Sequence, residues 1–367
     1  MIIYFWFLYL LLFPFQIFSP GSLQVSDYII LIGVLINYKN IYKVSVYEKY
    51  PKMLLYFCLY SLFIGITFSL LNSDLIFIKN PINYFYCLLF LYFLITVSHK
   101  ETFFKFTLFG ILFSTIIQFL IFLKYGTNSD EIRMSLFFNN PNQLGFWALN
   151  YFLILILLKT QTIYINSKII YVPLILCVLF IIISISQAAI LSILLFIIYF
   201  IFIFLRKRIF LAFILLILVT LLSIKFYTNI NNVVIVKNAI ERVSDDQTND
   251  DLDDNGLEGR NYLRLINYPK YLFFGSAEGL NSRFGNKDMN EVHSSFANLL
   301  FSYGIVGFIF FTIPYLYIIS NKNLFTIVCF GIYLVFTLVH STLRWPLFWA
   351  IPYLLFYIDK KRSYVWN

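Results

Sequence analysis

The amino-acid sequence predicts an all-α, polytopic membrane protein of about 12 transmembrane helices carrying one large polar loop. Three observations carry that expectation. Of 367 residues, 60% are hydrophobic and only 12% charged, with a mean hydropathy of +0.81, whereas soluble domains hold about 25% charged residues. The apolar residues fall into runs approaching the roughly 20 residues a bilayer span needs when no water can satisfy free backbone groups. The basic residues, finally, divide unequally between alternate connections.

In chain order the apolar segments lie at roughly 2–18, 24–38, 53–71, 82–98, 104–123, 143–158, 169–186, 188–205, 209–226, 296–319, 324–343 and 346–358. The first lacks a basic n-region and an A-x-A-like cleavage site, so it reads as a retained span rather than a signal peptide. Counting alternate short loops places fifteen cations, from Lys39 to Arg362, on one side and only Lys79, Lys124, Arg133 and Arg344 on the other. By the positive-inside rule both termini are then cytoplasmic. The connections 124–142, 184–187, 227–293 and 340–345 share the outer side, and Trp345 and Trp349 read as an interfacial anchor. The chain is thus expected to be a single integral membrane domain, residues 1–367, with the polar loop 227–293 inside it.

Several classes are disfavoured. The net charge of +9 is scattered through short loops rather than gathered in a stripe, which argues against nucleic acid. Cys58, Cys87, Cys177 and Cys329 all sit in apolar runs, with no metal or disulfide spacing. No fixed-period repeat, no matching pair of broken spans and no charge in mid-span marks a coupled transporter.

The polar loop is where chemistry is expected. Tyr227 to Val292 holds eleven of the eighteen acidic residues. Within it Ser244 to Glu258 carries seven acids. Asp251, Asp253, Asn255 and Gly256 open like a calcium loop, but Tyr262 stands where a bidentate Glu is required, so a solvated linker is the default. Arg260 and Arg264 lie one turn apart on a short amphipathic stretch ending at Pro269. Such a pair suits either a diphosphate, through paired charge-assisted bonds, or anionic headgroups. Arg133 precedes Asn139-Asn140-Pro141-Asn142, a turn at the mouth of the next span in which Asn142 is expected to cap the helix. Glu291 and His293 stand just before the tenth span. Imidazole titrates near neutrality and either group could take a proton from a hydroxyl. His99 and His340 read as structural.

These motifs in this order resemble the O-antigen polymerase and ligase superfamily of bacterial surface polysaccharide assembly. The elements are Arg133 with Asn140-Pro141-Asn142-Gln143-Leu144-Gly145, Arg260 with Pro269 and Gly275, and the run from Glu291-Val292-His293 to Gly304-Ile305-Val306-Gly307. The likeness covers about residues 120–310. Three departures stand out: His293-Ser294 where the family has His-Asn, Gly275-Ser276-Ala277-Glu278-Gly279 where it has Gly-x-Gly, and Ser186-Gln187 where it has an arginine, so that Gln187 could offer only a neutral hydrogen bond.

The resemblance implies a GT-C-like, metal-independent, inverting glycosyltransferase with no cofactor, acting at the outer face of the inner membrane. Donor and acceptor would be undecaprenyl diphosphate-linked oligosaccharides, with membrane lipids and a chain-length regulator as further partners. Arg133, Arg260 and Arg264 would hold the diphosphate, Asn142 and Gln187 would make further substrate contacts, and His293 or Glu291 would serve as base. A repeat-unit polymerase is the expected activity. The alternatives are an O-antigen ligase acting on lipid A core and, from a different class, a flippase for lipid-linked oligosaccharides.

Overall fold

The computed structural model describes residues 1–18, 21–125, 134–159, 168–206, 261–284, 291–320 and 323–365, and every regular element among them is helical. The helices are α1 (Ile2–Leu12), α2 (Val25–Ile36), α3 (Tyr38–Tyr47), α4 (Lys49–Asn72), α5 (Ile76–Ser98), α6 (Phe103–Tyr125), α7 (Pro141–Lys159), α8 (Tyr171–Ser184) and α9 (Gln187–Arg206). Two short helices, α10 (Leu263–Asn267) and α11 (Tyr271–Phe274), precede α12 (Ser295–Ile319), α13 (Leu324–Val339) and α14 (Pro346–Val365).

Eleven of the twelve predicted apolar segments coincide with these helices, while 209–226 lies outside the described residues. Length divides them. Only α4, α5, α6, α7 and α12 are long and apolar enough to cross a membrane, or six spans if α2 and α3, bent by 86°, count as one. Several of the others are shorter: an 11-residue helix such as α1 covers about 16 Å at 1.5 Å per residue, against a hydrocarbon thickness of about 30 Å. Among the described residues, five or six spans are carried by helix length and composition. Helix α3 was missed because Lys39 and Lys43 interrupt the apolar run, and only its Ile41 is buried.

Apolarity all round a helix means either lipid contact or burial, and the structure separates the two. In α5 and α7, 78% of the apolar window is buried, against 39% in α4 and α6. Those two helices form the centre. Aromatic rings fill it: Phe57, Tyr84, Tyr303, Phe311 and Trp349 are all fully buried and pack edge to face at centroid distances such as 5.0 Å for Phe57–Phe311 and 5.5 Å for Phe311–Trp349. The interfacial role expected of Trp349 is thereby corrected. Its indole N–H is satisfied inside the protein by the Leu343 carbonyl at 2.8 Å, so burial leaves no polar group stranded. The four cysteines are buried within the helices.

One irregularity sets up the rest. Helix α12 is interrupted at Gly304, whose φ of 63° and ψ of −175° is open only to glycine. The break exposes carbonyls that a continuous helix would consume. The loop after α11 fills it: Ser276 N–H donates to Phe301 O at 3.0 Å and Ala277 N–H to Ser302 O at 2.9 Å. Contact is so close that a Cβ on Gly275 would stand 2.3 Å from Ser302 O. Non-helical backbone inside an apolar bundle survives only when protein satisfies it in this way. Both glycines belong to the motifs singled out in the sequence, and their spacing is explained by this mutual contact.

Candidate functional site

At one end of the bundle the loops converge on a cavity of about 640 Å³. Its wall includes Asn139, Asn140, Asn142 and Gln143 from the start of α7, Glu291 and His293 from the approach to α12, and His340 to Pro346 between α13 and α14. A second cavity of about 430 Å³ adjoins it, and Lys79, Asn281, Glu291 and Arg344 line both.

Local structure aims these groups. Pro141 opens α7 as a first-turn proline, whose missing N–H costs nothing there. The cap is therefore Asn140, not Asn142: the Asn140 side-chain oxygen accepts from Gln143 N–H at 3.0 Å, and Asn142 is left to line the cavity. At the other wall Ser294 caps α12 by accepting from Ala297 N–H at 3.3 Å. Ser295 then stitches α12 to the α13–α14 turn, its hydroxyl donating to His340 O and accepting from Thr342 N–H, both at 2.8 Å. The result is an ion pair. Arg344 Nη2 donates to Glu291 Oε2 at 2.6 Å, with the side chains 33% and 27% exposed. Burial pulls the Arg344 guanidinium down, but Glu291 and Glu278 together raise it above its ordinary value, so it stays charged.

Behind the pair lies Glu278, on the loop that plugs the α12 break and only 3% exposed. Tyr84 Oη donates to its Oε1, as does Asn298 Nδ2 at 3.2 Å, while Oε2 is buried without a well-formed hydrogen bond. Burial first, and then the neighbouring Glu291, raise the Glu278 carboxyl from 4.5 to about 7, against the pull of Arg344, Tyr84 and Asn80. The folded protein thus binds this proton more tightly than the unfolded chain. The stabilising contribution is complete below about pH 4.5 and is lost as pH climbs towards 7. Wild-type protein should melt several degrees lower at pH 8 than at pH 5 on this account, and Glu278→Gln should flatten the profile across that window. An unchanged profile in the variant would remove Glu278 from this role.

The fates of the expected site residues differ. Glu291, His293 and Asn142 come together in the cavity wall. Arg133 and Arg260 lie outside the described residues, as do the acidic stretch and its calcium-like opening. Arg264 does not line either cavity. It is 2% exposed, donates to Asn281 Oδ1 at 3.3 Å and lies 5.2 Å from the Phe284 ring, so it supports a cavity residue instead of facing a diphosphate. Gln187 is exposed at the start of α9 and lines neither cavity. Among the described residues no group of three or more His, Cys, Asp or Glu stands together as a metal site.

Sequence reasoning missed Lys79, Glu278 and Arg344, and treated His340 as structural although it lines the cavity. A signal existed for the first. Lys79, Asn80, Asn83, Tyr84 and Tyr86 crowd polar groups into the first turns of α5, and polar side chains inside a span call for a function or a partner. Glu278 is marked by nothing but its charge in a loop with ten other acids. No protein-family model matches the chain, and no curated protein matches it significantly.

Proposed function

We propose that this chain is a membrane glycosyltransferase that polymerises undecaprenyl diphosphate-linked repeat units by inverting, metal-independent transfer. The observation that carries the reading is the composition of the larger cavity. Asn83, Asn139, Asn140, Asn142, Gln143 and Asn281 line it with amides, each able to donate and accept, beside Trp345, His293 and the Glu291–Arg344 pair. Amides and an indole face suit sugar hydroxyls and ring surfaces. Cations suit the diphosphate to which the donor sugar is attached.

In the reaction an acceptor hydroxyl oxygen bonds to the anomeric carbon while the bond from that carbon to the diphosphate oxygen breaks, its electron pair leaving on the diphosphate. The hydroxyl proton passes to His293 or Glu291. Positive charge at this end of the bundle, to which Arg133 and Arg260 are proposed to add, stabilises the leaving group without a metal. Grooves between the exposed apolar helix faces would accept polyprenyl tails. The proposal includes a GT-C-like plan of about 12 spans in the inner membrane, both termini cytoplasmic and the cavity outward.

The deciding experiment reconstitutes the purified chain with a defined lipid-linked repeat and follows polymer length. Polymer should form and persist in EDTA; loss restored by a divalent cation would overturn the metal-independent mechanism. In cells, deletion should leave lipid A core carrying a single repeat. A bare core with accumulated lipid-linked polymer would assign the chain as a ligase, and unchanged glycan would exclude both. Outside labelling of a cysteine placed at position 207 would overturn the topology.

A further inference from the structure

The Glu291–Arg344 pair occupies an unusual place: it is part of the wall of both cavities, so a ligand in either one meets it. The two side chains are partly open, at 33% and 27% exposure, so a ligand can reach them. We propose that Arg344 is an anion receptor held closed by Glu291, and that a diphosphate entering the cavities replaces the carboxylate on the guanidinium and releases Glu291 as the proton acceptor. This rests on the glycosyl-transfer reading for the identity of the anion, but the exchange itself does not.

The support of the two partners is unequal. The backbone around Arg344 is pinned on three sides: Thr342 N–H by Ser295 Oγ at 2.8 Å, Leu343 O by the Trp349 indole at 2.8 Å, and Arg344 O by the Cys87 thiol at 3.6 Å. The backbone that carries the guanidinium therefore keeps its place when the partner leaves. Lys79 lines the same two cavities and adds a second positive charge, which a diphosphate diester with two negative charges would use. A planar fork can exchange a carboxylate for a phosphoryl group because both offer two acceptor oxygens in similar geometry. Glu278 remains behind Arg344 throughout. Its carboxyl, raised by burial to about 7, keeps the site from accumulating two full negative charges before the ligand arrives.

Release has a chemical consequence. While paired, the Glu291 carboxylate has its Oε2 committed to the Arg344 guanidinium at 2.6 Å. Once the phosphate has taken Arg344, that oxygen is open to the cavity that His293 also lines, and it takes the acceptor hydroxyl's proton as the new bond to the sugar carbon forms and the bond to diphosphate breaks. Chemistry is thereby coupled to donor binding.

The test measures inorganic pyrophosphate binding by calorimetry to the full chain in phosphatidylcholine nanodiscs. Arg344→Ala should lose affinity by more than about tenfold, as removal of one partner of a charge pair does. Glu291→Gln removes the competing charge and should bind pyrophosphate more tightly than wild type while turning over poorly. A merely structural pair predicts the opposite sign, so unchanged or weaker binding by Glu291→Gln overturns the proposal. Glu291→Asp, which shortens the reach to Arg344, should also tighten binding and serves if the amide variant does not fold. Repeating the titration in phosphatidylglycerol discs separates the anion's sources. Equal affinity supports a diphosphate site, whereas competition by the anionic discs would give Arg344 to headgroups and overturn the assignment. If binding follows this pattern while no polymer forms in reconstitution, the receptor stands and the polymerase reading falls.

Discussion

Arg344→Ala should reduce turnover by about a hundredfold to a thousandfold, the range that follows removal of one preorganised charge from a transition state. The residue is fixed by its neighbours, charged, and shared by both cavities. Its loss leaves the partly exposed Glu291 without its counter-charge, so folding stability falls as well. Stability and turnover must therefore be read separately. Arg344→Lys keeps the charge but not the fork, so it should recover most of the thermal stability and little of the turnover. Lys79→Ala should weaken substrate use more mildly, since Lys79 is exposed on α5 and acts as a point charge. Near-normal polymer formation by folded Arg344→Ala would remove this residue from the chemistry altogether.

Gly304→Ala should be the most damaging small substitution in the described part of the chain. Two independent effects add. The backbone at φ 63° and ψ −175° excludes side chains, a strain of about 1–3 kcal/mol by itself. The new methyl would also stand 2.2 Å from Phe273 O and 2.7 Å from Gly275 N, both backbone atoms that cannot swing aside. The loop would have to lift from the α12 break and strip Phe301 O and Ser302 O of their donors. A loss beyond about 4 kcal/mol, the size reserved for such clashes, is expected, together with disappearance of the pH dependence assigned to Glu278. Gly331→Ala is the internal control: it sits in α13 with nothing within 4 Å of the added carbon, and alanine should be neutral or slightly stabilising there. Size-exclusion profiles and thermal melts of the two variants compare them directly. A well-folded Gly304→Ala protein with wild-type stability would mean that α12 runs unbroken.

The helical segments were legible because apolar runs of bilayer dimensions have few other solutions: backbone groups without water must bond within the segment. Eleven of the twelve segments stand as helices, and the convergence of the 139–143, 291–293 and 340–345 turns at one end follows from counting connections. Helix length was less legible. Hydropathy registers apolar residues whether they face lipid or protein: α5 and α7, buried at the centre, are somewhat less apolar than α4 and α6, yet all four pass equally as spans. Trp349 shows the same limit, since an indole next to a turn suits an interface and a core equally until its hydrogen-bond partner is known.

The site divides along a similar line. Glu291, His293 and the Asn140-Pro141-Asn142 turn could be picked out because turn chemistry and titratable side chains at span ends are local properties. By itself the sequence determined a helical, largely apolar chain interrupted by polar turns, with glycines at 275 and 304 on either side of His293. Only the tertiary structure decided that those two glycines touch, that Glu278 is carried through the α12 break to the back of the site, that Arg264 turns inward onto Asn281, and that Arg344 rather than a loop arginine meets Glu291. The reason is physical. Each of these is a pairing across tens or hundreds of residues, set by which helix faces pack together, and neither propensity nor periodicity along the chain carries that information.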